Sequence, residues 1–240
     1  MLRVITCGLL ACLGGLTVTA ASARSECPPR APASTSVICS DTGSAQLDRQ
    51  IAAAFEAARK RLGEAARGHL LKDQDAFRQV RAHGSNSRDF DLEVNMAMRR
   101  DFLNAVQPAS GAAWRPHWGN HHGTITVNQQ MPGRIVVRVS AMEPTVGAWT
   151  CEFDEQAEAV NGQLIVGQAS ARLELGGPNE GWTLALKRTG DVLIVEEIAP
   201  AGASRRPFCT GPGSLAGVYF ALQEPEVAKK EAMATGGKAQ

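Results

Sequence analysis

The sequence lacks an excess of charge of either sign. Its 25 Lys and Arg residues are balanced by 24 Asp and Glu residues, which leaves a formal net charge of +1. Proteins that bind nucleic acids usually present a clustered basic face, so this balance argues against a nucleic-acid partner.

The sequence also lacks the short motifs of common catalytic sites. It contains no HExxH, no phosphate-binding P-loop and no GxGxxG after a strand. The serine within residues 211–217 has the wrong glycine spacing for a nucleophile elbow. Glu196 and Glu197 are neighbours in a predicted strand, so they point to opposite faces and cannot flank one glycosidic bond. We therefore expect no enzymatic activity and no cofactor.

The first two dozen residues are typical of an export signal. Arg3 precedes an apolar run that extends to Val18, and Ala21 and Ala23 stand at −3 and −1 of a signal-peptidase site. The run is shorter than the roughly 20 apolar residues of a membrane anchor. We therefore expect removal of residues 1–23 and a mature chain that is periplasmic or secreted, with no integral membrane segment.

A second interpretation of this region concerns Cys12. The three residues before it loosely resemble a lipoprotein box, which would leave the mature protein acylated at this cysteine. Because apolar residues continue to Val18, cleavage after Ala23 is the preferred interpretation. Export is expected in both cases.

Four cysteines remain beyond the signal, namely Cys27, Cys39, Cys151 and Cys209. An even number of cysteines in an oxidising compartment predicts two disulfides. A zinc site is the competing interpretation, but the sequence has no CxxC pair and we expect no metal. Three pairings are possible, of which proximity along the chain favours Cys27–Cys39 and Cys151–Cys209.

The composition changes near residue 110, which predicts an α+β protein in two parts. Residues 24–110 show a 3.6-residue apolar period, with one helix from Asp41 or Ser44, a second over about 65–82 and a third from near Asp89 to Pro108. Residues 111–223 predict an antiparallel meander, forming a small barrel or sandwich that folds independently. Residues 224–240 are expected to be a disordered tail. The expected strands cover residues 123–127, 134–140, 148–153, 158–160, 163–166, 169–175, 182–187, 192–198 and 217–222.

Several short patterns follow one another in the first half. They are an Ile-Cys-Ser-Asp segment at residues 38–41, a Leu-Asp pair at 47–48 followed by Ile51 and Phe55, Gln-x-x-Phe-Arg-x-x-Arg at 74–81, and Leu-x-x-x-Met-x-x-Arg-Arg-x-x-Leu at 92–103. In this order and spacing, over roughly residues 27–107, they resemble the lysozyme inhibitor LprI-like N-terminal family of exported bacterial domains. The chain departs from that family at position 84, where Gly84 replaces a cysteine.

The resemblance implies an exported protein that binds a protein partner, and lysozyme inhibition is the activity it suggests. The alternative is a structural or assembly accessory that contacts an envelope component without inhibiting lysozymes. Charge gives inhibition little support, because animal lysozymes are cationic and residues 44–107 carry eleven Lys and Arg against nine Asp and Glu. The resemblance further implies that Cys27, without a cysteine at position 84, either pairs with Cys39 or stays free.

Asp48, Arg81 and Arg99 form the first set of candidate binding residues, because they are charged residues on otherwise apolar helix faces. They could bind a ligand together. The preferred interpretation is structural: Asp48 pairs with one of the arginines and ties the helices together, since buried charges must be paired.

Trp114, His117 and Trp118 form the second set, within the segment between the two halves. Its tryptophans either pack on the sheet or contact a glycan or protein. His117 and His121 would align as metal ligands if the segment were helical, but the proline and glycine within it disfavour a helix.

Overall fold

The computed structural model describes residues 25–27, 37–109, 111, 114, 116–131, 133–167, 181–200, 206 and 208–224. The predicted signal peptide, the predicted strand 169–175 and the predicted tail from residue 225 onward lie outside these residues. Two regular parts follow one another along the chain, first helices and then antiparallel strands. The α+β class and this order of elements are therefore confirmed.

In the first part, the residues that the structure describes form four helices, which we call the helical layer: α1 (Val37–Ser40), α2 (Thr42–Arg61), α3 (Glu64–Gly84) and α4 (Leu92–Ala105). The Asp41 carboxylate caps α2 by accepting a 2.7 Å hydrogen bond from the Ser44 amide. Asp91 caps α4 in the same way, at 3.0 Å from the Val94 amide. Such caps satisfy backbone donors that have no partner within the helix. The prediction of a start at Asp89 and an end at Pro108 for this last helix was therefore too wide.

In the second part, the described residues form eight strands: β1 (His117–Gly119), β2 (Gly123–Met131), β3 (Arg134–Met142), β4 (Thr150–Val160), β5 (Gln163–Val166), β6 (Thr183–Thr189), β7 (Val192–Ile198) and β8 (Gly217–Ala221). Each strand pairs with the next, and β8 pairs with β1, so the sheet closes into an antiparallel barrel. Closure leaves no unpaired edge between the first and last strands.

Two details of the barrel differ from the prediction. β4 is one continuous strand that includes both segments predicted there: residues 150–157 pair in register with β3, and residues 157–160 pair with β5. β1 was not predicted, since three residues are too short to show an alternating pattern. The turn between β4 and β5 agrees with the prediction: Asn161 and Gly162 have φ of 50° and 78°, which suits a two-residue hairpin.

The molecule has two apolar cores. One fills the barrel, where Trp118 of β1 is fully buried. The other lies between the helical layer and the outside of β7 and β8, and it includes Val192 and Phe220. These two residues alternate along their strands with Leu193 and Tyr219, which face the barrel interior. The same two strands therefore contribute side chains to both cores.

Two disulfides join Cys27 to Cys39 and Cys151 to Cys209, which are the pairings favoured by proximity. The second disulfide attaches the segment before β8 to the start of β4. Disulfides are typical of proteins in oxidising compartments. Among the residues that the structure describes, no helix is long and apolar enough to span a membrane.

Candidate functional site

Asp48 and Arg81 meet inside the helical layer. Asp48 lies on α2 and Arg81 on α3, and the distance from Asp48 Oδ1 to Arg81 Nη1 is 3.1 Å. The other Asp48 oxygen accepts hydrogen bonds from the Ser25 hydroxyl at 2.6 Å and the Cys27 amide at 3.2 Å. Arg81 also pairs with Glu26. Both charges are buried and paired, as the structural interpretation requires, while the Nε atom of Arg81 is buried without a hydrogen-bond partner.

Arg99 does not join that pair. Its guanidinium group is buried on α4, where it donates to Asp73 Oδ2 at 2.6 Å and to the Gln74 side chain at 2.8 and 3.0 Å. The rings of Phe77 and Phe102 lie 5.2 and 4.9 Å from the guanidinium carbon, within the range of cation–π attraction. Arg99 therefore binds α3 to α4, with Asp73 as a partner that the sequence analysis did not select.

Asp73 also connects the helical layer to the barrel. Its Oδ1 lies 2.7 Å from His121 Nδ1 and 3.3 Å from the His121 amide, in the loop between β1 and β2. Burial alone would raise the pKa of Asp73, but the charge of Arg99 and the hydrogen bond with His121 hold it well below its usual range. A carboxylate is therefore maintained at the contact between α3, α4 and this loop.

His122 has an unsatisfied polar atom at this contact, as does Asn95 of α4 at its Oδ1 atom. The ring centroid of His122 lies 3.6 Å from that of His121 and 5.8 Å from the Trp149 ring. Its Nδ1 atom is buried and has no hydrogen-bond partner. Burial, followed by the neighbouring His121, lowers the pKa of His122 to about 4. The neutral imidazole is the form that this environment favours.

The two tryptophans of the second predicted set pack in the barrel core, and His117 does not. Trp118 fills the barrel interior, Trp114 packs partly buried against the same core, and His117 is half-buried in β1. Because β1 is a strand, His117 and His121 do not align as helical metal ligands. Within the described ranges, no three His, Cys, Asp or Glu side chains converge on a possible metal position. These three residues therefore do not form one continuous site.

The structure also reveals a charged surface that the sequence analysis did not select. Along β4 the exposed side chains, which we call the acidic strand face, are Glu152, Asp154, Gln156 and Glu158. Residues 139–167 contain five acidic residues and no Lys, Arg or His. Strand β4 is three strands away from both β1 and β7, so the acidic strand face lies on the side of the barrel opposite the β7–β8 surface that the helical layer covers. The alternation of acidic residues with Phe153 and Ala157 is the sequence signal that could have identified it.

Comparison of the chain with protein-family models, with curated proteins and with solved structures found no match in any of the three. The local geometry around position 84 can still be described. A Cβ atom on Gly84 would lie 2.7 Å from ring carbons of Phe90. An aromatic ring thus occupies the space next to the position at which the resembling family carries a cysteine.

Proposed function

We propose that this chain is an exported bacterial envelope protein that binds a cationic macromolecule through the acidic strand face, with a lysozyme as the first candidate partner. Cleavage after Ala23 and release into the periplasm belong to this proposal. The observation that carries it is the position of the acidic strand face on the side of the barrel away from the helical layer. The resemblance to the LprI-like family supports the same class of partner.

The distribution of charge supports a cationic partner better than the net charge does. Glu152 and Glu158 form no salt bridge within the described part of the chain, and Asp154 is paired with the exposed Arg138 across β3 and β4. A surface ion pair of this kind contributes little binding energy of its own and can exchange partners. Clustered charges of one sign steer an oppositely charged protein and increase its association rate.

The proposal is tested with the mature chain, residues 24–240, and a cationic lysozyme. Binding is measured by titration at low and high salt, and lysozyme turnover is measured on peptidoglycan. Glu152→Gln combined with Glu158→Gln should weaken binding by about tenfold at low salt and reduce its salt dependence. The matched control, Glu64→Gln combined with Asp89→Asn, removes two exposed acids from the helical layer and should leave binding unchanged. Equal loss in both double variants would contradict the assignment of the surface.

An accessory role in the envelope is the second candidate, and the outer side of α4 favours it. Val94 and Met98 are one helical turn apart and are 54% and 64% exposed. Apolar side chains in such a position are typical of protein contacts. Under this proposal the mature chain leaves lysozyme turnover unchanged. Met98→Glu abolishes crosslinking from α4 to envelope material. The control Lys60→Glu, on an exposed part of α2, does not abolish it.

A further inference from the structure

The contact between the helical layer and the barrel has two ends of different chemistry. At one end, the Asp191 carboxylate in the β6–β7 turn accepts hydrogen bonds from the Gly63 amide at 2.8 Å and the Ala109 amide at 3.0 Å. Nearby, Arg61 donates to the carbonyls of Leu103 and Val106, both at 3.1 Å. No histidine takes part in these hydrogen bonds.

The other end depends on two adjacent histidines. His121 contacts Asp73 on α3 through its ring and its amide. His122 packs between the His121 ring and Trp149. A second link at this end is the 3.2 Å hydrogen bond from the Asn95 side chain on α4 to the Pro144 carbonyl in the β3–β4 loop.

We propose that the His121–His122 end of this contact is an acid-sensitive latch, which opens when a proton on His122 forces the loop between β1 and β2 away from Asp73. A protonated imidazole carries hydrogens on both nitrogens. The Nδ1–H of His122 would be buried without an acceptor, and an unsatisfied buried donor is costly. Because the rings of the two histidines pack with their centroids 3.6 Å apart, movement of the His122 ring towards water disturbs the packing that holds His121 beside Asp73.

The charged groups around His122 come from four elements. Arg99 lies on α4 and is paired with Asp73 on α3, which leaves little uncompensated negative charge at the contact. His121 opposes a positive charge on His122, whereas Asp73 and Glu143 favour it. Glu143 is engaged elsewhere, because it accepts hydrogen bonds from the Thr145 amide at 3.0 Å and the Val146 amide at 2.7 Å. The balance therefore favours neutral His122 in the closed latch.

The direction of the pH effect follows from this balance. Burial lowers the pKa of His122 from its ordinary value of 6.5 to about 4, so between these values the open or unfolded state binds more protons than the closed state. Above about pH 6.5, neutral His122 makes its full contribution to the stability of the closed contact. This contribution is lost progressively as the pH falls towards about 4, and the end that contains Asp191 should stay closed over the upper part of this range.

Hydrogen exchange of the full mature chain, read by mass spectrometry, tests the latch. After correction for intrinsic rates, amides within residues 68–77 and 117–125 should exchange about fiftyfold faster at about pH 4.5 than at about pH 7, because pH 4.5 lies about two units below the ordinary pKa of 6.5 and each unit corresponds to an almost tenfold change in equilibrium. Peptides that contain Gly63 or Asp191 should change less. His122→Phe should abolish the acid effect, and His83→Asn, which removes an exposed histidine, should retain it.

Two results would overturn the proposal. The first is an equal acid-induced increase in His122→Phe and in the unchanged protein, and the second is simultaneous opening of both ends of the contact. If His122→Phe fails to fold, an NMR titration of the His122 ring in the unchanged protein decides the question. A midpoint below 6.5 supports the latch, and a midpoint at or above 6.5 refutes it.

Discussion

The helical layer and the barrel are stabilised by different kinds of interaction. Among the described residues, the helical layer buries four charged residues, namely Asp48, Asp73, Arg81 and Arg99, whereas in the barrel the Glu197 side chain of β7 is 5% exposed and pairs with Arg206. The core inside the barrel is apolar, and Thr183 is a buried uncharged polar residue in the described part of the barrel. The helices bury several alanines, such as Ala54 and Ala58, against one another. Both cores contain alanines as well as larger apolar side chains, so the buried ion pairs are the feature that distinguishes the helical layer.

Because of this difference, a single substitution should reduce stability by different amounts in the two parts. A barrel whose backbone hydrogen bonds close on themselves loses mainly packing energy when one side chain is shortened. A helical layer with buried ion pairs loses much more when one partner is removed, because the other partner stays buried and charged. The free energies of unfolding of single variants can therefore be compared between the helical layer and the barrel.

The largest effect is expected for Arg99→Met. This change keeps an apolar side chain of similar length but leaves Asp73 without its 2.6 Å ion pair, which should reduce the free energy of unfolding by about 4 kcal/mol. Chemical denaturation at neutral pH measures it. Arg138→Met, which breaks an ion pair whose side chains are 61% and 48% exposed, should cost less than about 1 kcal/mol. Similar losses in the two variants would mean that burial does not distinguish the pairs.

The next effect concerns the two disulfides. The Cys151–Cys209 bond closes a loop with a sequence separation of 58, and the Cys27–Cys39 bond one of 12. Loop-closure entropy predicts losses of about 4 and about 3 kcal/mol when each pair is changed to alanine. The two double variants should therefore melt in that order, with the barrel variant lower. The reverse order would show that strain or residual structure in the unfolded chain outweighs loop length.

The smallest change in the free energy of unfolding is expected at Gly84, where its sign should be the reverse of the usual effect of alanine in a helix. Alanine normally stabilises a helix relative to glycine by about 1 kcal/mol. At this position the new Cβ would lie 2.7 Å from the Phe90 ring, so Gly84→Ala should instead destabilise the protein by about 1 kcal/mol. In a Phe90→Ala background the same substitution should become stabilising. Denaturation of the four proteins of this double-mutant cycle gives the coupling between the two positions, and a coupling of zero would refute the contact.

The sequence was informative wherever an interaction repeats along the chain. The 3.6-residue period predicted the three long helices, and the Asn161-Gly162 pair predicted the β4–β5 turn. Among the apolar residues that carry this period near α2, Ile51, Phe55 and Leu62 are buried. These features are local, so each can be inferred from neighbouring residues.

The candidate site was less predictable, because its contacts join distant residues. Arg99 was a correct choice as a buried charge, but its partner Asp73 could not be distinguished from Asp48 by helical spacing. His121 meets Asp73 across a sequence separation of 48, and no local pattern indicates such a contact. The acidic strand face also depends on barrel closure, since only the ring of strands places β4 opposite the helical layer.

The contribution of β7 and β8 to both cores has a consequence for the order of events during synthesis. The helices are made first, but the core beneath them needs Val192 and Phe220, which follow almost the whole barrel in the chain. Nascent chains fold from the N-terminus as they emerge, so the apolar side of the helices faces water until the last two strands arrive. During that interval the exposed apolar side of the helices is a surface that a holding chaperone can bind. Closure of the barrel by β8 covers this surface.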